Sequence, residues 1–338
     1  MLPIMNEDLT NLFDAYKTEF GHSFDSLVEE EKALLVFIEN VEMIKAHNEK
    51  FYKGEVSYKL GLNQFGHYTF DEFKNSMMQY NVPENYESGA SFTHTAPSTR
   101  LGSKKASDGI DWREKGAVTD VKNQGRCGSC WSFSTTGSIE GAHYIATGEL
   151  VSLSEQQLLN CVHKGWCRCN IGGLMDWGFE YVINVGGIVT ESDMPYKSIH
   201  GERYGKCPYL EYPHSKDLFA ASISSYADVE RNNEAALESA LDQQPVSIAI
   251  DASHRSFQFY RSGVYDPVDC CDDGECTMYD LDHGVLAVGY GTDEETGEEY
   301  FLVKNSWGSN WGDEGFVKMV RGKGSKCGVA TSASYPIV

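Results

Sequence analysis

Before Cys127 this chain of 338 residues holds no cysteine, while all ten of its cysteines fall between Cys127 and Cys327. That absence excludes a single fold stapled evenly by disulfides. It points to two units of different fate, the second suited to an oxidising compartment. No apolar run approaches the roughly 20 residues that a membrane helix needs, so no membrane partner is expected. The start, Met1 to Thr10, has an apolar patch but lacks the basic end and the apolar core of roughly 7–15 residues that mark a secretory leader, which the cysteine usage would otherwise lead one to expect. Repeats and low-complexity tracts are absent, and no Asn-x-Ser/Thr sequon occurs, so an N-linked sugar is excluded as a delivery tag. Positive charge is scarce: 28 Lys and Arg stand against 50 Asp and Glu, a net charge of −22. Such a surface repels phosphate backbones and makes nucleic acid a poor partner. It suits an acidic compartment, where partial carboxylate protonation relieves self-repulsion.

What is present is globular in texture, with 41% hydrophobic and 12% aromatic residues and length enough for two or three cores. Glu29, Ala33, Phe37, Asn40, Ile44 and Asn48 recur at spacings of four and three, which on a helix places all six on one face. Two asparagines there must find hydrogen-bond partners. Taken alone, a packed amphipathic helix is the simpler reading. Gly61-x-Asn63-x-Phe65 then predicts a short strand or turn, and Thr69 caps a helix that follows. From Asn81 the chain turns polar and irregular, with Pro83, Gly89, Pro97 and Gly102, and it ends in the basic pair Lys104–Lys105.

Two textures divide the rest. From Cys130 to about Gly187 the pattern predicts helices over 131–146, 155–159 and 173–185. After Ala220 and one helix at 234–241, strands are predicted over 246–251, 284–291, 300–306 and 316–320. A helical half joined to a strand-rich half predicts two lobes with a substrate cleft between them.

The segment from Gln124 to Trp131 carries the strongest chemical signal. A Gly-rich turn delivers Cys130 to a helix start, where unpaired N–H groups and the helix dipole favour the thiolate, the competent nucleophile. Gln124 on the same turn can aim an amide N–H at a developing oxyanion, with the Cys130 backbone N–H as second donor. On this segment alone three rivals stay open. Cys127 and Cys130 are spaced as a redox pair; with Cys167 and Cys169 they make a poorly spaced zinc set; or both are structural. Further on, His283 precedes a strand, and Asn305 sits at a strand end beside Trp307. An Asn accepting one imidazole N–H fixes the tautomer, and a Trp shields that bond from water. Cys, His and Asn are the parts that thiol acyl transfer requires.

Gln124 to Trp131, Asp282-His283-Gly284, Asn305-Ser306-Trp307-Gly308, Ser152 to Gln156 and Gly172 to Asp176 together resemble the papain/cathepsin family of cysteine proteases, most closely its cathepsin L branch. The stripe from Glu29 to Asn48 resembles that branch's ERFNIN propeptide helix, and Gly61-x-Asn63-x-Phe65 its GNFD pattern. The likeness runs from about Asn6 to Val338. It implies an α+β, papain-like two-lobed fold, with a helical left lobe and a β-barrel-like right lobe, behind a mainly helical propeptide. By that likeness residues 1–80 are an inhibitory propeptide, 81–105 an extended linker running backwards through the cleft, and 106–338 the peptidase domain, maturing near Ala106. The implied roles are Cys130 as nucleophile, His283 as base, Asn305 as orienter and Gln124 as oxyanion donor. Gly172, Gly173, Leu174, Met175, Ala249, Leu281, Gly284, Trp307 and Ser332 would bind substrate, with Ser332 at the floor of the pocket for the second residue before the cut (P2). No cofactor or metal is implied. Implied partners are polypeptide substrates, the chain's own propeptide and cystatin-type inhibitors. A monomer in a lysosome, an acidic vacuole or the extracellular space is implied.

The resemblance also implies disulfides Cys161–Cys207, Cys127–Cys169 and Cys276–Cys327, while the run from Cys169 to Gly173, one residue longer than the family's Cys-Asn-Gly-Gly, leaves Cys167 as a rival to Cys169 for Cys127. Extra residues between Tyr265 and His283 leave Cys270 as a rival to Cys276; the fixed position of the catalytic His favours Cys276. Cys167 would then pair with Cys270 or Cys271. Two family positions are altered here: Ala33 stands for Arg in the helix stripe, and His67 for Asp in the GNFD pattern. Both catalytic candidates being present argues against an inactive binding module. A peptide ligase on the same scaffold is the nearer rival, because amines and water compete for one thioester. Between Asp176 and Pro195 there is no cleft-blocking insertion, which favours internal cleavage.

Overall fold

The computed structural model describes residues 7–96, 109–162, 169, 171–202, 205–207, 218–271 and 275–338. The N-terminal part opens with helix α1 (Glu7–Phe20), then the striped helix α2 (Leu27–Tyr52), with Ser26 as its N-cap. No reading above anticipates α1, although Leu9, Phe13, Tyr16 and Phe20 repeat at helical spacing. The two helices meet through Phe13, Tyr16 and Phe37, with ring centroids 4.9 to 5.2 Å apart where Phe37 touches the other two. The asparagines of the stripe find their partners. Asn40 donates to the carbonyls of Gly66 and Tyr68, at 2.9 and 3.1 Å, and Asn48 exchanges two bonds with the Leu60 backbone. Strand β1 (Tyr58–Leu60) and helix α3 (Phe70–Met77) follow. Thr69 and Glu72 close a capping box that satisfies two free N–H groups of α3.

The helical lobe is built from α4 (Cys130–Thr147), α5 (Glu155–Cys161) and α6 (Met175–Val185), close to the expected spans. The remaining elements are strands β2 (Thr93–His94), β3 (Ile110–Asp111) and β4 (Ser225–Val229), helix α7 (Glu234–Leu241), β5 (Val246–Ile250), α8 (Arg255–Gln258), β6 (Tyr260–Tyr265), β7 (His283–Thr292), β8 (Glu299–Lys304), β9 (Phe316–Val320) and β10 (Ser332–Ile337). Their order in one sheet is β1-β6-β9-β8-β7-β5-β10-β4-β2, with β3 on β7. The segment before the cleft thus supplies both end strands: β1 runs antiparallel to β6, and β2 parallel to β4. β7 is buried along nearly its whole length, as its apolar run requires of a central strand. Helix α4 lies on it closely, because a Cβ at Gly137 would come 2.7 Å from Leu286. Two main apolar clusters fill the molecule, one in the sheet around Trp307 and Trp311, the other among the helices around Trp131.

Four disulfides occur among the described residues: Cys127–Cys169, Cys161–Cys207, Cys270–Cys327 and Cys271–Cys276. The expected Cys276–Cys327 bond is therefore wrong, and so is any bond from Cys167 to Cys270 or Cys271. Cys167 itself lies outside the described residues, as does the maturation region around Lys104, Lys105 and Ala106. The reason for the error is where the chain absorbs its extra residues. Asp251 ties the two stretches together: its N–H donates to the Cys327 carbonyl at 2.9 Å and its carboxylate accepts the Cys271 N–H at 2.8 Å, which sets Cys270 beside Cys327. The insertion bulges between Cys270 and His283, closed off by its own short-range bridge, Cys271–Cys276.

Candidate active site

The turn before α4 is shaped by contacts that only glycine tolerates. Gly125 has φ +60°, and a Cβ there would lie 2.1 Å from the Ile199 carbonyl. The Gly128 N–H donates to the Cys169 carbonyl at 2.8 Å, beside the Cys127–Cys169 bridge. Cys130 follows as the first residue of α4, and the Ser129 side chain makes no cap bond to the helix. The thiol sulfur accepts the Gly284 N–H at 3.4 Å, with the N–H groups of Gln79 and Trp131 also directed at it. Burial pushes the thiol up to about 11 despite these donors.

His283 opens β7 and Asn305 directly follows β8, neighbouring antiparallel strands. The Asn305 Oδ1 accepts the Ser306 N–H at 2.8 Å and lies 2.8 Å from His283 Nε2. An amide oxygen already taking one backbone donor makes Nε2 the protonated nitrogen. Nδ1 is buried with no hydrogen-bond partner among the described residues. The Trp307 ring stacks on the imidazole, with centroids 4.6 Å apart and planes 28° apart. Burial pulls His283 down to about 4, against the Asn305 bond that raises it. The ammonium of Lys304, next to Asn305, is anchored at 2.7 Å on the Thr119 carbonyl.

Gln124 is fully buried. Its Oε1 accepts the Ser306 hydroxyl at 2.7 Å, which orients the amide. The Nε2 donates to the Cys127 carbonyl at 3.0 Å and to the Met77 carbonyl at 3.1 Å. Met77 belongs to the covering segment, as do Gln79 and Tyr80, and no reading of the sequence selected these three. No local spacing marks them, because their role comes from crossing the cleft. A Cβ at Gly172 (φ +86°) would fall 1.4 Å from the Gln79 carbonyl, so this segment runs directly over that glycine.

Sheet register lines up one wall of the expected P2 pocket. Ser332 on β10 faces Ala249 on β5, which faces Gly284 on β7. Leu174, Met175, Ala249 and Leu281 share one buried cluster with Trp131 and Tyr80. A Cβ at Gly173 would press on the Trp131 indole at 2.6 Å. Into this space goes Tyr80, only 4% exposed, whose hydroxyl meets the Ser332 hydroxyl at 3.0 Å. The Tyr80 N–H donates to the Asp282 carbonyl at 2.9 Å. At the other end of the cleft Phe65 and Phe73 set their rings edge-on against Trp307, at 5.8 and 5.1 Å, so Trp307 is fully buried. Ala33 and His67 line a single cavity of about 660 Å³, together with Arg126.

Residues 106–337 match the family described as papain family cysteine protease. The chain belongs to the papain family. Residues 13–73 match the cathepsin propeptide inhibitor domain. A cathepsin L-like peptidase of Aedes aegypti is 44% identical over 96% of this chain and 92% of its own length. A digestive cysteine proteinase of Homarus americanus is 42% identical, over 96% and 94% respectively. Among solved structures, digestive procathepsin L2 of Tenebrio molitor superposes with a TM-score of 0.84 at 34% identity, covering 98% of this chain and all of the other. Digestive procathepsin L 3 from the same larval midgut gives 0.81 at 37% identity, with the same coverage. This papain-family member is a cathepsin L-like cysteine peptidase with the papain-like fold, made as a zymogen behind an inhibitory propeptide.

Proposed function

We propose that the mature form is an endopeptidase acting through a Cys130–His283–Asn305 acyl-enzyme mechanism. His283 Nδ1 takes the Cys130 thiol proton as the sulfur attacks the scissile carbonyl carbon. The oxyanion is held by the Gln124 Nε2–H and the Cys130 backbone N–H. Collapse breaks the C–N bond, and the imidazolium gives its proton to the leaving amine. Water, deprotonated by His283, then hydrolyses the thioester and restores the thiol. The observation that carries this reading is the 2.8 Å contact from Asn305 to His283 Nε2, which leaves Nδ1 free to act as the base.

We read residues 1–80 as the inhibitory domain, 81–105 as the segment released with it, and 106–338 as the enzyme. Met77 on Gln124, Gln79 over Cys130 and Tyr80 in the P2 pocket support inhibition by occupancy. The order of these residues is opposite to that of a substrate, whose P2 residue precedes the scissile bond. A reversed backbone does not present its carbonyl to the thiol for cleavage. Polypeptide substrates, cystatin-type inhibitors, a monomeric state and an acidic or extracellular setting fit the same reading. No helix among the described residues is long and apolar enough to cross a membrane.

The test is to mature the chain by limited proteolysis, offer acyl-Phe-Arg-aminomethylcoumarin, and titrate with an epoxide that alkylates thiols. Turnover that stops when one thiol per chain is labelled is expected. Labelling without hydrolysis would point to acyl transfer instead, and neither event would point to a binding module.

A further inference from the structure

The insertion between Cys270 and His283 places a small, rigid turn on the rim of the cleft. One anchor is Cys276, bonded to Cys271 and buried; the other is Leu281, buried in the cluster that holds Tyr80. Between them Asp280 Oδ2 accepts both the backbone N–H and the hydroxyl of Thr277, each at 2.7 Å, and the Asp280 N–H returns to the Thr277 carbonyl at 3.1 Å. Met278 points inward, with its sulfur 3.3 Å from the Arg231 guanidinium. Tyr279 is left standing out from the turn, 58% exposed, on a backbone that this network holds in place.

The exposed tyrosine is engaged by the segment that occupies the cleft. Its hydroxyl donates to the Glu84 carbonyl at 3.3 Å. Across the cleft the Asn81 side-chain amide donates to the Ile171 carbonyl at 3.2 Å. Between these contacts the chain Asn81-Val82-Pro83 lies over a hollow of about 360 Å³, walled on the enzyme side by Ile171, Gly173 and Trp177. Past Tyr80, then, the covering segment lies against apolar residues of the helical lobe and is bonded at Glu84 by Tyr279 of the inserted turn. A backbone carbonyl and small apolar side chains are what the zymogen itself puts there.

We propose that Tyr279 is a specificity-determining residue that extends substrate recognition beyond the P2 pocket. This rests on the endopeptidase reading above. Its hydroxyl donates to a backbone carbonyl four residues beyond P2, as Glu84 stands to Tyr80, while the apolar side chains of the residues between settle against Ile171 and Trp177. A bond of this kind strengthens longer substrates without touching the reacting atoms, so it acts on KM for them and leaves dipeptidyl reporters unaffected.

The full chain, matured by limited proteolysis, is assayed on acyl-Phe-Arg-aminomethylcoumarin and on the same reporter extended to acyl-Ala-Pro-Val-Ala-Phe-Arg, which reaches four residues beyond P2. The expected result is a higher kcat/KM for the longer reporter. Tyr279→Phe removes one neutral hydrogen bond and should cut that advantage by roughly fivefold. Tyr279→Ala should cut it further, and both variants should hydrolyse the dipeptidyl reporter at the unmodified rate. An unchanged ratio in both variants would overturn the proposal, as would an equal loss on both reporters. Failure of the unmodified enzyme on the dipeptidyl reporter would count against the endopeptidase reading instead, which keeps the two apart.

Discussion

The hydroxyl of Tyr80 lies 3.0 Å from the hydroxyl of Ser332, at the end of a pocket whose other walls are Leu174, Met175, Ala249, Leu281 and Gly284. The covering segment has therefore placed an aromatic side chain in the pocket proposed for P2. It shows the pocket's depth and the polar group at its floor.

Phe, Tyr or Leu at P2 should be preferred over Arg by at least about tenfold in kcat/KM, the scale of a methylene-sized difference in an apolar pocket. Ser332 carries no charge, so a guanidinium there is left poorly solvated. Tyr should do nearly as well as Phe because Ser332 meets its hydroxyl. Ser332→Glu should raise Arg acceptance and make it dependent on pH. Equal cleavage of Phe-Arg and Arg-Arg reporters by the unmodified enzyme would show that the pocket is wrongly assigned.

Gln124→Ala should lower kcat by about 10²-fold or more, the usual size for one oxyanion donor. Cys130→Ala should abolish turnover while leaving the thermal unfolding midpoint close to that of the parent. A Gln124→Ala enzyme with near-normal kcat would remove Gln124 from the mechanism.

In the intact zymogen the dyad is uncharged: burial lifts Cys130 to about 11 and lowers His283 to about 4. At pH 8 only about one thiol in a thousand is then ionised, so iodoacetamide should alkylate Cys130 slowly. Removing the covering segment restores water to the site and favours the thiolate–imidazolium pair, so the alkylation rate should rise by at least about tenfold. Equal rates before and after maturation would show that the propeptide does not control the thiol.

Acid should loosen the propeptide through His67. Burial, with the neighbouring His22 and Arg126, lowers this imidazole from 6.5 to about 3, against a smaller opposing pull from Glu72. His22 is also lowered, by burial first, and the two rings lie 4.3 Å apart. The docked form therefore excludes protons that the free segment binds. Docking is fully stable above about pH 6.5 and weakens progressively as the pH falls from there through about 3. In a Cys130→Ala background, which cannot cleave itself, His67→Asn should move the acid-induced release to lower pH. Tryptophan fluorescence would report it, since Phe65 and Phe73 cover Trp307 only while docked. An unchanged midpoint would exclude His67 as the trigger.

Local chemistry was legible in the residue order. Helical spacing marked α2, the Thr69 cap marked the start of α3, and the Gly-rich turn before Cys130 marked the start of α4, because each depends on neighbours within one or two turns. Cys130, His283, Asn305 and Gln124 were nameable from their segments, since the residue types themselves set what chemistry is available. Strand β2 escaped notice because two residues in a polar, Pro- and Gly-containing stretch carry no periodicity; β4 forms its other edge. Along the chain the distance to His283 favoured Cys276 over Cys270, and the fold chose Cys270. The choice between them came from Asp251, which bonds both the Cys327 carbonyl and the Cys271 N–H across the fold. The covering of the site was likewise decided only in three dimensions. Nothing near Met77, Gln79, Tyr80 or Tyr279 in the chain announces a role, because each acts on groups that folding brings from elsewhere: Gln124, Cys130, Ser332 and Glu84.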